Sequence, residues 1–204
     1  MTPTFCARHL IRAGLALIAL CAITTTVSAA PVNLVSTGRT SPPVGHYEFC
    51  RSNPGECRAL GRDAGPMQLT RAAWQHMLTV NASVNQQVAP DTDERIYGVA
   101  ELWIYPDAVG DCEDYVLLKR KRLIERGFSP SNLLITVVLQ PNGDGHAVLT
   151  VRTDYGDYIL DNMRSDVRLW SETGYTFVKR QSPAHAGHWT KLGPGTANSV
   201  AAIR

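Results

Sequence analysis

The hydrophobic period of this chain changes at Gly127, and that change limits the folds open to it. Before it, Thr70 stands as an N-cap to Ala73, Trp74, Met77, Leu78, Val84 and Val88, which recur at helical spacing until Pro90. A second helix begins at or just before Cys112. It carries Tyr115, Val116, Leu123 and Ile124 on its apolar side and ends at Gly127, a C-cap residue. Between them, Asp91 to Arg95 reads as a polar connection and Ile96 to Tyr105 as a short apolar-aromatic stretch. Lys119 to Arg122 and Arg126 read as the solvated end of the second helix. Beyond Gly127 the period is that of strands. Leu133 to Leu139 is β-branched and apolar, His146 to Thr153 alternates, and Tyr158 to Asp161 returns, with Tyr175 to Arg180 and Trp189 to Leu192 as a last pair. Helices followed by a run of strands predict an α+β domain with an antiparallel sheet.

The N-terminus predicts the compartment. Arg8 and Arg12 precede the apolar run from Ala13 to Ile23, and Val27-Ser28-Ala29 offers the small-residue site of a secretory leader. Residues 1–29 are expected to be cleaved, and the run is shorter than the roughly 18 apolar residues of a membrane span, so no anchor is expected. Bulky Leu20 before Cys21 argues against lipidation. The chain has twenty Lys and Arg against eighteen Asp and Glu, and loss of Arg8 and Arg12 balances them, which implies neither nucleic acid nor an anionic surface as partner. Residues 30–65 are rich in Pro, Gly and Ser and predict an extended strap, 66–192 a single domain, and 193–204 a frayed tail.

An oxidising compartment gives the cysteines meaning. Cys6 and Cys21 leave with the leader. Cys50 and Cys57 bracket Arg51-Ser52-Asn53-Pro54-Gly55-Glu56, a turn-forming segment that can bring their sulfurs together. Cys112 remains unpaired, flanked by Asp111, Glu113 and Asp114. At a helix N-terminus it lies where unpaired N–H groups and the helix dipole favour a thiolate. His146 opens one strand and Asp161 closes the next. Across a turn at Asp154 to Asp157 the even-numbered His and the odd-numbered Asp share a face. Nominal register leaves them too far apart for a direct hydrogen bond, so a bulge or shorter turn is required. Cysteine, histidine and aspartate in these places read as nucleophile, base and orienter.

Gly110-Asp111-Cys112-Glu113-Asp114-Tyr115, His146-Ala147-Val148-Leu149 and Leu160-Asp161-Asn162 resemble the three motifs of the bacterial transglutaminase-like cysteine proteinases. The resemblance extends from Pro66 through Trp189, over Trp74, Trp103, Pro106 and Lys179-Arg180-Gln181-Ser182. It implies a papain-like, transglutaminase-core fold with Cys112 as nucleophile, His146 as general base and later acid, and Asp161 as orienter. It also implies a periplasmic peptidase acting on a protein substrate, with a surface adhesin and an inner-membrane regulatory receptor as the partners of its best-known members. Transglutaminase chemistry, or a catalytically silent calcium- or peptide-binding module, stays open as an alternative.

Calcium follows from the same resemblance, with Asp111, Glu113 and Asp114 at the matching positions and oxygen donors suited to the ion. Anions beside a thiol raise its pKa and oppose catalysis unless a cation offsets them. The backbone N–H of Cys112 is the expected oxyanion donor, with the Trp103 indole a second candidate. His185 and His188 have a metal-ligand spacing but no nearby Cys or acidic partner in sequence, so no zinc site is expected.

Overall fold

The computed structural model describes residue 1 and residues 33–193; the expected leader and the tail beyond Gly193 lie outside them. Helix α2 (Arg71–Gln87) starts where Thr70 Oγ1 accepts the Ala73 N–H at 3.1 Å, which satisfies a donor the helix itself cannot. Its buried stripe of Ala73, Met77, Val80 and Val84 lies against α4 (Cys112–Glu125). After α4, Gly127 adopts φ 87°, the left-handed conformation that stops a helix and that a side chain resists. The sheet then follows as β4 (Leu133–Leu139), β5 (Gly145–Thr153), β6 (Gly156–Leu160), β7 (Arg168–Leu169), β8 (Thr176–Ser182) and β9 (His185–Leu192).

With β1 (Ser36–Thr40), these strands form one sheet in the order β1-β9-β8-β4-β5-β6-β7, and every pairing in it is antiparallel. The architecture is the expected α+β one, a helix pair packed on an antiparallel sheet. Ala147, Leu149 and Val151 of β5 join the helices in the main core. Val148, of opposite parity, joins Leu34, Val138, Ile159, Trp170 and Leu192 on the far face. Both faces are therefore covered. Among the described residues no helix is long and apolar enough to cross a membrane.

Three expectations need correction. The segment read as an extended strap contributes β1, which pairs with β9, and a helix, α1 (Val44–Ser52), before the Cys50–Cys57 disulfide. His46 and Phe49, three residues apart, turn that helix inward against Trp103, Trp189 and Tyr105, and this burial overrides the turn-rich composition. Gly45 is required there, because a Cβ would collide with the Trp103 ring. The polar connection at 91–95 folds as α3 (Asp93–Tyr97), closed by Gly98 at φ 72°. Between α2 and α4 a two-stranded parallel pair, β2 (Ala89–Pro90) with β3 (Val109–Gly110), delivers the chain to the nucleophile helix.

The third correction concerns charge on α4. Lys119 and Arg120 are buried, not solvated. Arg120 Nε donates to the Leu133 carbonyl at 3.1 Å and its guanidinium faces Glu56 at 3.6 Å. The Lys119 ammonium nitrogen has no hydrogen-bond partner in the protein. Burial brings its pKa down to about 7, against the opposing pull of Asp161.

Candidate functional site

Two strands and one helix end meet at the site. Thr153 pairs with Gly156, so the β5–β6 turn is only Asp154-Tyr155, the shorter turn that the sequence required. With Leu149 opposite Leu160, Asp161 falls beside Val148, two residues along β5 from His146. The result is a direct bond: His146 Nε2 lies 2.8 Å from Asp161 Oδ1, with both side chains buried. The Met163 N–H also donates to Oδ1 at 3.0 Å, and the Tyr175 hydroxyl donates to Oδ2 at 2.6 Å. Burial raises the pKa of Asp161, but the bonds from His146 and Tyr175 more than offset it and hold the carboxyl below its ordinary value. Asn85 and Asn81 on α2 pin the loop that follows. Asn85 Nδ2 donates to the carbonyls of Asp161 at 2.9 Å and Arg164 at 3.0 Å, and Asn81 Nδ2 to those of Arg164 and Ser165.

Cys112 occupies the first position of α4, after Asp111 at the N-cap. Gly110 is needed before them because an added Cβ would lie 2.7 Å from Asp114 Oδ2 and 3.1 Å from Pro106 Cβ. The thiol is half-buried and meets β5 at the Ala147 N–H, one residue from His146. It donates to Glu113 Oε2 at 3.1 Å. Burial and then the Glu113 charge push the thiol's pKa well above its ordinary value, and the Ala147 N–H opposes them. The helix dipole alone predicts the reverse, so in this arrangement burial, with the acids, outweighs it.

Those acids converge. Carboxylate oxygens of Asp93, Asp111 and Glu113 lie within 4.8 Å of one another. Burial, then Asp111, pushes Glu113 up to about 8. Asp111 and Asp93 are also raised, chiefly by burial. Asp93 Oδ1 and Asp111 Oδ1 have no hydrogen-bond partner in the protein. Asp93 is not among the metal ligands that the sequence suggests. The signal there was Thr92-Asp93, an acidic residue after a cap, but its burial depends on the loop whose Leu102 N–H it accepts. Asp114, grouped with the acids from sequence, stands outside this trio. Its Oδ1 accepts the Ile104 N–H at 2.9 Å, and burial pushes it up to about 7.

The remaining candidates fall elsewhere. The Trp103 indole N–H donates to Glu101 Oε1 at 2.9 Å, and its ring packs edge-on against His46. His185 and His188 stack with ring centroids 3.7 Å apart. Their planes are nearly parallel, which leaves the in-plane lone pairs unable to converge on one ion. His46 belongs to the core. It accepts the Trp189 indole N–H at 3.1 Å, and burial, then Arg120, brings its pKa down to about 4.

A free thiol on the first turn of a helix that packs on an antiparallel sheet, with a bonded His–Asp pair at the adjoining strand ends, is an arrangement of the transglutaminase-like fold. The chain belongs to the family described as bacterial transglutaminase-like cysteine proteinase, BTLCP, which matches residues 36–197. That range takes in β1 and α1 as well as the helices and sheet. Among solved structures, Legionella pneumophila LapG in a calcium-bound form is similar at 26% identity over 52% of this chain and 64% of that one, with a TM-score of 0.47. Legionella pneumophila LapG in another structure is similar at 25% identity over 63% and 73%, with a TM-score of 0.49. This chain thus aligns with less than two thirds of the calcium-bound protein. A comparison with curated proteins found no match.

Proposed function

We propose that this chain is a periplasmic cysteine endopeptidase in which Cys112, His146 and Asp161 cleave a protein substrate through a thioester. The observation that carries the reading is the 2.8 Å bond from His146 to Asp161 beside a thiol seated at Ala147. Because Nε2 is committed to Asp161, Nδ1 is the nitrogen left to take the thiol proton. The thiolate attacks the scissile carbonyl carbon, and the developing oxyanion accepts the Cys112 backbone N–H at the start of α4. The imidazolium returns its proton to the leaving amine, and the thioester remains. His146 then deprotonates a water that releases the second product. Asp161 stays ionised throughout and holds the imidazole.

Asp93, Asp111 and Glu113 fit a hard cation, and two of their buried oxygens lack a partner in the protein. We infer calcium, held by these three residues. Bound there, it supplies positive charge that offsets the acids which raise the thiol. Asp114, the third acid at the positions matched to the family, holds the Ile104 backbone through Oδ1 and also keeps a buried Oδ2 without a partner in the protein. The leader pattern at 8–29 and the Cys50–Cys57 disulfide support export to the periplasm. A surface adhesin is the first protein substrate to test, and an inner-membrane receptor the first regulator.

The experiment is cleavage of a proteome-derived peptide library, with the products sequenced, for the native chain and for Cys112→Ala and His146→Ala, in calcium and in excess chelator. Cleavage that needs Cys112, His146 and calcium supports the reading. Products that carry an added amine in place of water would make the chain a transglutaminase. No covalent product under any condition would make it a binding module.

A further inference from the structure

Tyr175 was read from sequence only as the start of a strand, and the proposed reaction does not use it. Its place in the fold is more particular. Gly174 precedes it at φ 77°, and the Tyr175 N–H donates to Thr173 Oγ1, whose own hydroxyl is bonded to the Trp170 carbonyl at 2.8 Å. This turn fixes the backbone and sends the side chain toward Asp161 and His146 together. The hydroxyl donates to Asp161 Oδ2 at 2.6 Å, while the ring stands edge-on to the His146 imidazole, with centroids 5.7 Å apart and planes at 67°. The Arg164 side chain lies beside the same hydroxyl.

The consequence lies in how Asp161 is held. Oδ1 receives two donors, His146 Nε2 and the Met163 N–H, and Oδ2 receives Tyr175. With both oxygens engaged, the carboxylate plane is fixed, and the imidazole plane follows it. Take away the hydroxyl and the carboxylate can turn about its Cβ–Cγ bond, so that either oxygen serves His146. Burial, then the bond to Asp161, pushes the tyrosine up to about 12, which keeps the donor's proton in place across the working range.

We propose that Tyr175 is a positioning residue of the reaction, which acts through Asp161 to hold the His146 imidazole in the orientation that serves Cys112. The inference rests on the triad reading above. It is tested by the rate of iodoacetamide alkylation of Cys112 against pH, read by intact mass in calcium, for the native chain, His146→Ala, Tyr175→Phe, Asp161→Asn and the Tyr175→Phe/Asp161→Asn pair. The native chain should show a thiolate limb below the ordinary cysteine pKa that His146→Ala abolishes. Tyr175→Phe, which keeps the ring, should lower the rate on that limb by about ten- to a hundredfold, as loss of a hydrogen bond to a charged group does. In the Asp161→Asn background the same change should have no further effect, because its route is gone.

A native-like profile for Tyr175→Phe, or losses that multiply in the double variant, would overturn the assignment. A Tyr175→Phe chain that no longer folds by circular dichroism would make the hydroxyl a structural bond and overturn it too. Should the native chain and His146→Ala react alike, the triad reading itself fails, and this inference with it.

Discussion

The two sides of the site are built on opposite terms. On the sheet side, Asp161 has both oxygens bonded, its carbonyl is taken by Asn85, and its pKa is lowered. On the helix side, Asp93 and Asp111 each keep a buried oxygen without a partner, Glu113 accepts the hydrogen bond of the thiol, and every acid of the trio is raised. Buried polar atoms are normally bonded, and leaving one unmade costs about 1–3 kcal/mol. The Asp161 carboxylate is fully bonded as folded, although Asn81 Oδ1, Asn85 Oδ1 and Asn162 Oδ1 near it lack a partner in the protein. On the calcium reading proposed above, a bound cation completes the acid trio, which makes Asp161 the constitutive half and the trio the conditional one.

The comparison breaks outright if the thiol and imidazole are not the reacting pair. Cys112→Ala and His146→Ala should each lower kcat by about a millionfold on any peptide the native chain cleaves, as for other residues that act as one unit. Asp161→Asn, which keeps the shape and removes the charge, should cost about ten-thousandfold, with the loss in kcat and not in KM.

Lys119 sharpens the contrast from the core, because it lies on α4 yet feels the charge of Asp161. Its folded pKa of about 7 lies below the value of about 10.4 in an unfolded chain. Between those values the unfolded chain binds more protons, so this group makes stability rise with pH across that window. Lys119→Met should remove that rise in urea titrations and stabilise the chain at neutral pH.

The conditional half is tested by metal. In chelator, the raised pKa of Glu113, about 8, makes its contribution full below the ordinary carboxylate value and lost as pH climbs through 8. Melting temperature should therefore fall across that range in chelator and hold in calcium. At a hundred times its dissociation constant the ion should add about 2.7 kcal/mol. Glu113→Gln should flatten both effects. The smallest change expected is Thr70→Ala, which removes the α2 cap and should cost about 1 kcal/mol in chemical denaturation without altering the pH profile of activity.

How much of this was legible follows from the range of the physics involved. Thr70, Gly127 and the run from Leu133 to Leu139 signal through neighbours a few residues away, and the elements they bound lie where the sequence places them. Parity put His146 and Asp161 on one face. Turn length was the missing quantity, and Thr153 pairing with Gly156 supplies it. Asp93, Tyr175 and the burial of Lys119 were not legible, since each depends on contacts across the fold. Asp93 meets Asp111 through the loop at Leu102, and Tyr175 reaches Asp161 from a turn beyond β7. Helix α1 was hidden by the prolines before it, Pro42 and Pro43, and by Gly45, because only the aromatic residues it covers make it worth folding.

The edge strand β1 pairs with β9, Ser36 opposite Leu192 and Thr40 opposite Trp189. The first strand of the described chain therefore cannot find its place until the last has been made. Such closure of distant segments is slow, because the loop entropy is lost before the contact forms. Synthesis from the N-terminus leaves the chain open along that edge until β9 emerges. The same pairing fixes where the molecule is vulnerable: a cut or truncation between Ser36 and Thr40 would uncover β9 and offer its backbone to a second molecule.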